Sequence, residues 1–327
     1  MALALVRLIP TDTNIPFIKV RFAAFLVSVA LILGSLGAFF TLGLNFGIDF
    51  RGGTAIEVRT EGPADLGALR SVMEGLQLGD VQVQGFGSEN EALVRVGQVS
   101  AERVNELEGH AVENDAEAQQ AVRQYVSDTL EREFPGITFQ KIESLSPQVS
   151  GELVVAGATS IGVALFLMLV YIWFRFEWQY SVGAVLALIH DVIATIGFFA
   201  ITQLEFNLST IAAILTIVGY SMNDTVIVYD RIREDFRKFK TRPTVDVLNG
   251  AINSTLSRTI LTSGTTMIAI VAMAVIGGPA LQGFALALIW GVGVGTYSSI
   301  FVAAPLLTLT GVKRTSDDDA EGGALAP

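Results

Sequence analysis

The sequence predicts a membrane α-helical bundle of six transmembrane helices carrying one α+β domain outside the membrane. Three observations lead there. The apolar residues fall in six long runs rather than being scattered. Hydrophobic residues make up 51% of the 327-residue chain and charged residues 16%, whereas soluble globules carry about 25% charged residues; the mean hydropathy is +0.54. The acidic residues are concentrated: residues 45–150 hold 18 of the 32 Asp and Glu but only 8 of the 21 Lys and Arg.

The same composition excludes several function classes. The chain has no cysteine, so disulfides and thiolate metal sites are ruled out. His110 and His190 are its only histidines, too few for a histidine-rich metal centre. No basic domain suggests nucleic-acid binding. No G-x-S-x-G, H-E-x-x-H or Ser-His-Asp arrangement is present, and the chain reads as a non-enzyme without a cofactor.

In chain order, Leu3, Leu5, Leu8 and Ile9 can lie on the membrane surface before Pro10 interrupts them. The apolar run Phe22–Leu44 follows Lys19 and Arg21. It exceeds the roughly 20 residues needed to span a bilayer. It is also longer than the roughly 7–15 residues of a cleaved signal, and it reads as a retained first span. Within 45–150, Thr54–Arg59 alternates like a strand and Pro63–Leu76 has helical spacing. Val81–Phe86 and Ala92–Val96 read as paired strands, Ala116–Phe134 as a helix and Ile137–Ile142 as a last strand. That β-α-β-β-α-β order is ferredoxin-like, with Gln98–Asp115 expected to be a loop. Further spans are expected at Glu152–Phe174, Tyr180–Thr202, Asn207–Tyr229, Arg258–Ile276 and Phe284–Leu307.

Basic residues set the expected orientation. Arg7, Lys19 and Arg21 precede the first span, six Lys and Arg lie between Arg231 and Arg242, and Lys313 and Arg314 follow the last span. The turns at 203–206 and 277–282 have none. The expected organisation is a cytoplasmic segment (1–21), a first span (22–44), an extracytoplasmic domain (45–150), a five-span region (151–309) with a polar cytoplasmic loop (230–257) that includes a helical stretch at Val245–Leu256, and a disordered cytoplasmic tail (310–327) containing Asp317–Asp319.

The chemistry concentrates where charges enter the apolar runs. An ionisable side chain at mid-bilayer costs about 2.5–3.5 kcal/mol on insertion scales, so such residues mark function. Asp224 is expected about 9 Å inside the fourth span, at 1.5 Å per residue. Tyr220, Ser221, Asn223 and Thr225 make its surroundings polar, and Arg258 at the start of the fifth span is a cation within reach. Burial and a nearby cation move a carboxyl's proton affinity in opposite directions, which can poise it to titrate. Asp191 and His190 lie near the middle of the third span and suit either a proton relay or an interhelical hydrogen bond. Adjacent residues point about 100° apart around a helix, so the two are not expected to share one face. Asp49, Arg51, Gly52 and Gly53, in GIDFRGGT, read as the turn anchoring the domain to the membrane. Gly291 and Gly295 are spaced for close helix approach.

Five stretches carry a resemblance: GIDFRGGT after the first span, ALIHDV in the third, VGYSMNDTVIVYDRIRE in the fourth, SRTILTSGTT into the fifth, and GGPALQGFALALIWGVGVGTYSSI into the sixth. In this order and register the chain resembles the SecD/SecF family of the bacterial Sec protein-translocation machinery, in its unfused SecF form, from the first span to about Leu307. The resemblance implies an RND-like half-bundle in the inner membrane that works with SecD, the SecYEG channel, SecA-driven preproteins and YajC, surrounded by membrane lipid. It implies that the proton motive force drives late steps of translocation, with protons as the coupling ion. Asp224 in MNDT matches the family's proton-pathway aspartate, and Arg258 in LSRT matches its partner arginine. The residues leave two other readings open, a proton-coupled RND-type exporter subunit and a passive assembly subunit.

Overall fold

The computed structural model describes residues 13–108, 112 and 114–310. The expected surface segment around Leu3–Ile9, together with Arg7, His110, Lys313, Arg314 and Asp317–Asp319, lies outside the described residues. Among those described, six helices are long and apolar enough to cross a membrane. They are a 3-10 turn (Phe17–Val20) running into α1 (Arg21–Leu42), then α6 (Pro147–Arg175), α7 (Trp178–Thr202), α8 (Leu208–Lys238), α9 (Thr244–Ile276) and α10 (Pro279–Ser298). A π-helical turn (Ser299–Ala303) and α11 (Ala304–Thr310) prolong the last of these.

The spans are not equivalent. Buried side chains gather on α7, α8 and α10 with its π turn: Leu188, Phe199, Ile214, Ile217, Tyr229, Val292 and Ile300 all belong to one cluster. α1, α6 and α9 lie outside this trio and leave long apolar side chains exposed, among them Phe22, Leu26, Phe166, Leu167, Ile268 and Val275. Apolar side chains that face no protein are at home in hydrocarbon, so this division suits a bundle whose perimeter meets lipid or another membrane protein.

Close approach at the centre depends on small residues. A Cβ on Gly291 would stand 2.2 Å from Ile217 Cδ1, and one on Gly295 would stand 3.0 Å from Ser221 Cβ. One face of α10 is thereby pressed onto α8. The same device joins α1 to α7, where a Cβ on Gly197 would stand 2.1 Å from Ser35 Oγ. The chain entering α1 is pinned to α9: the Asn249 and Asn253 side chains each accept from a backbone N–H, of Ile18 and Ile15, at 2.9 Å.

Two expectations for the membrane region are corrected. The helical stretch expected at Val245–Leu256 is present, but as the first part of α9, and the rest of the expected loop 230–257 is mostly helical too. α8 continues through Asp230 to Lys238 and α9 begins at Thr244, so residues 239–243 are the only break. The charges there mark the end of the bilayer but not the end of the helix, because each exposed charge is tolerated on a helix that has left the hydrocarbon. The other spans also run longer than their apolar runs. α6, for instance, starts at Pro147, where the missing N–H costs nothing.

The domain between α1 and α6 contains the short α2 (Ile48–Arg51), β1 (Gly53–Arg59), α3 (Leu66–Gly75), β2 (Val81–Gly85), β3 (Glu91–Val96), α4 (Ala101–Glu108), α5 (Asp115–Glu133) and β4 (Thr138–Leu145). Its sheet has the order β2-β3-β1-β4, every pair antiparallel. The expected loop 98–115 contains α4 instead. Its eight residues include only three apolar ones, Ala101, Val104 and Leu107, spaced along one face, and the polar residues around them make the stretch read as a loop. Alternation divides the sheet into two faces. Ile56, Val58, Val83, Val94 and Val96 pack on Leu69, Met73, Val122, Val126 and Leu130. The opposite face sets Ala55 beside Arg95 and Glu143, and Glu57 beside Leu93 and Lys141.

That second, polar face looks onto the outer ends of the bundle. A cleft of about 350 Å³ lies between them, lined by Asp49, Glu57, Lys141, Glu143, Glu205 and Gln282 among others. Burial raises the Glu57 carboxyl above its ordinary range against the pull of Lys141, and the Glu143 partner raises the Lys141 ammonium.

The paired glycines of GIDFRGGT turn the chain from α2 into β1. Gly53 sits at φ 107°, and a Cβ there would stand 2.3 Å from the Val96 carbonyl oxygen. Gly53→Ala is expected to destabilise the domain by about 1–3 kcal/mol from backbone strain, before the clash is counted. Thermal unfolding of the detergent-solubilised chain checks this. Gly291→Ala should likewise cost about 1–3 kcal/mol, by forcing α10 off α8.

Candidate functional site

α7, α8 and α10 converge on the Asp191 carboxyl group, which is fully buried. Ser221 Oγ on α8 donates to Asp191 Oδ2 at 2.6 Å, and Ser298 Oγ on α10 donates to the same oxygen at 2.8 Å. Asp191 Oδ1 lies 2.9 Å from His190 Nδ1. One carboxyl group therefore gathers partners from all three central helices. Close contact makes this possible: without Gly295, the Ser221 side chain could not come so near α10.

His190 and Asp191 were expected on different faces, and the structure corrects this. Both are buried, at 2% and 0% exposure, and their side chains meet. The 100° step between neighbours separates two faces only on a helix with one buried stripe. α7 is enclosed on several sides, so adjacent side chains can both turn inward and bond laterally. His190 Nε2 is buried with no protein partner, and the ring lies against Tyr297 with centroids 6.2 Å apart.

Hydroxyl groups continue the network along α8. Thr225 Oγ1 lies 2.9 Å from Ser299 Oγ, and Ser299 Oγ also donates to the Ser221 carbonyl at 3.4 Å. Ser298 and Ser299 flank the start of the π turn. Such a turn adds a residue to one helical repeat and re-aims the side chains around it. At its start, consecutive serines reach Asp191 and Thr225 respectively. A second chain runs through Tyr220, whose hydroxyl donates to Ser263 Oγ at 3.0 Å, and Ser263 Oγ lies 2.7 Å from Thr296 Oγ1.

Asp224 stands one residue from Thr225 and outside both chains. It is 1% exposed, and neither carboxyl oxygen bonds to a protein group. Burying a polar group without a partner costs about 1–3 kcal/mol on protein mutational scales, and a charge costs more. Arg258 is exposed but does not stand at the start of the fifth helix as expected: α9 begins at Thr244, which puts Arg258 near the middle of that helix, and no hydrogen bond joins it to Asp224 among the described residues. Asn223 is exposed as well, whereas Thr225 is buried. The Thr259 hydroxyl, beside Arg258, is buried and unpartnered like Asp224. Asp191 is thus committed to protein donors and Asp224 is not. Among the described residues, no cluster of His, Cys, Asp or Glu could hold a metal ion.

Asp49 and the glycine pair lie at the domain boundary. Asp49 Oδ2 accepts from the Leu208 N–H at 2.8 Å, which caps α8. The Arg51 carbonyl accepts from Gln98 Nε2 at 2.6 Å. Ser298, Ser299, Ser263 and Thr296 were not expected from the sequence. A serine in an apolar run carries no signal until the opposing helix is known.

Removing a hydrogen bond to a carboxyl group costs about 1.5–3 kcal/mol when the group is charged. Ser221→Ala and Ser298→Ala are each expected to lower stability on that scale, and the double variant by more than either. Ser209→Ala, at the outer end of α8, should change little. Thermal unfolding in detergent separates these outcomes.

Comparison with known proteins places this arrangement. Residues 125–313 match the family described as protein export membrane protein SecD/SecF, C-terminal, and residues 37–64 match the SecD/SecF GG motif. The chain is 44% identical over 320 residues to a protein translocase subunit SecF of Cereibacter sphaeroides, covering 94% of this chain and 93% of that one. It is 47% identical over 299 residues to the SecF subunit of Magnetococcus marinus, covering 91% and 92%. A crystal structure of SecDF from Thermus thermophilus, described as a translocon-associated membrane protein, superposes with a TM-score of 0.80 at 34% identity. That match covers 92% of this chain and 39% of the SecDF chain, so this chain spans about two-fifths of its length. On the family match, the relatives and the shared fold together, the chain belongs to the SecD/SecF family of protein-export membrane proteins.

Proposed function

We propose that this chain is the SecF-type subunit of a SecDF assembly in the bacterial cytoplasmic membrane, and that it couples the proton motive force to late steps of Sec-dependent preprotein translocation. The observation that carries the coupling is Asp224, a carboxyl buried at membrane depth with both oxygens free of protein partners. An ionisable group kept there at such cost and not tied to its neighbours is available to exchange a proton as the helices move. Arg258 is the cation expected to approach when they do. A potential of 100 mV supplies about 2.3 kcal/mol per charge crossing, so one preprotein step draws on repeated cycles.

The remaining assignments follow from that reading. SecD supplies the other half of the membrane domain, packing on the apolar perimeter of α1, α6 or α9. SecYEG, SecA-driven preprotein and YajC are the further partners, and protons are the coupling ion. The basic end of α8 and the connection after it, with Lys240 and Arg242, support cytoplasmic termini and an extracytoplasmic domain. The β2-β3-β1-β4 order with flanking helices supports a ferredoxin-like reading of that domain, and the membrane region an RND-like one. The chain acts as a motor subunit and catalyses no covalent step.

Asp224→Asn keeps shape and removes the titratable group. It is expected to abolish secretion supported by the chain in a strain lacking its own copy, while membrane insertion and association with SecD persist. A passive assembly subunit would instead complement fully with both Asp224 and Arg258 neutralised. Full export by that double variant would overturn the motor reading.

A further inference from the structure

The outer domain and the α7–α8 turn are stitched together at many points. Gly47 N–H donates to the Phe206 carbonyl at 2.9 Å, and Phe206 N–H donates to Asn45 at 2.8 Å, a two-bond bridge between the end of α1 and the turn. Asn45 Nδ2 donates to the Gln203 carbonyl at 2.9 Å, and Gln203 Nε2 returns a bond to Gly43 at 3.1 Å. Phe46, Phe50, Phe199 and Phe206 form a ring cluster with centroids 5.6–6.0 Å apart. All of these bonds reach the linker that leads into the domain. One ion pair reaches the sheet itself: Arg95, in β3, bonds Glu205 in the turn, 110 residues away.

That ion pair is poorly suited to a stabilising role. The Arg95 side chain is only 8% exposed, yet its Nε and Nη1 have no protein partner. A buried guanidinium that uses one of its five donors does not recover its desolvation cost. Burial also raises the Glu205 carboxyl above its ordinary range, against the pull of Arg95. A pair that returns little stability does fix position. Gly47 makes room for it, since a Cβ there would stand 2.4 Å from Glu205 Oε1.

Building on the motor reading, we infer that Arg95 and Glu205 are positioning residues that lock the domain's sheet to the α7–α8 turn, so that the helices carrying Asp191 and Asp224 and the outer domain move as one rigid body. The polar face of the sheet then stays over the outer ends of α8 and α10 throughout a cycle. Motion in the bundle reaches the domain directly through a turn of five residues, 203–207.

The test uses the whole chain in membranes. With no native cysteine, spin labels can be placed at Arg132→Cys in the domain and Glu234→Cys near the far end of α8, whose native side chains are 69% and 65% exposed. The expected distance distribution is single and narrow. Arg95→Glu is expected to broaden it and reduce export at unchanged membrane abundance. The charge swap Arg95→Glu with Glu205→Arg should restore both, which a mere folding defect would not. Separately, Arg95→Cys with Glu205→Cys, joined by a short bis-maleimide, should still export, because the strut need not open. An unbroadened distribution in Arg95→Glu, or export blocked by the cross-link, overturns the inference. The distance readout does not depend on proton coupling. If Asp224→Asn exports normally while Arg95→Glu broadens the distribution, the motor reading falls and the strut stands. If Asp224→Asn blocks export while the distribution is unmoved, the strut alone falls.

Discussion

The Asp191 carboxyl group sets the geometry on which the rest of the bundle depends. In hydrocarbon, helices gain little from burying apolar surface against one another, because lipid tails serve equally well. Registry must come from close packing and polar bonds. Asp191 supplies the polar bonds by drawing Ser221 and Ser298 onto one oxygen, and Gly291 and Gly295 supply the closeness. At the start of the π turn, Ser298 and Ser299 face different partners, Asp191 and Thr225. Fixing α7, α8 and α10 at this level also fixes the setting of Asp224, less than one turn along α8 from Ser221. The bundle thus holds two buried carboxyl groups of opposite character. One organises its neighbours, and the other is held near them without joining the network.

On the domain side the same helices end in a turn that belongs structurally to the domain. Asp49 caps α8, the Phe46–Phe206 bridge extends the linker onto the turn, and Arg95 reaches down from the sheet. The membrane and extramembrane parts of the chain therefore share a joint built from segments distant in sequence. The glycines of GIDFRGGT serve this joint: Gly47 clears space for Glu205, and Gly53 lets β1 begin against the carbonyl of Val96.

Much of this was legible in the sequence, for identifiable reasons. Spans announce themselves because hydrocarbon tolerates few alternatives to a long apolar helix. Asp191 and Asp224 stand out because charge is rare there. The strands of the domain were visible through alternation. Three features were hidden. α4 is short and mostly polar, so its three apolar residues were lost in a stretch that reads as a loop. The continuation of α8 from Asp230 to Lys238 was masked because its charge density resembles a loop. The partners of Asp191 lie on helices 30 and 107 residues away, and no local pattern links a serine in α10 to an aspartate in α7. Arg95–Glu205 is concealed for the same reason, as each residue alone reads as an ordinary surface charge.

The length of α8 carries a mechanical implication. Its 31 residues extend about 46 Å at 1.5 Å per residue, against a hydrocarbon thickness of about 30 Å. Its continuation past the bilayer is a stiff rod, and α9 begins beside it after only five residues. Arg231, Arg233, Arg237 and Lys238 are therefore borne on the same rigid shaft as Asp224. A small tilt of that shaft sweeps these charges laterally through the headgroup layer, with a lever arm longer than the displacement at Asp224. Bilayer thickness and anionic lipid content thus bear on the resting tilt of α8, and through it on the environment of a carboxyl group buried within the bundle.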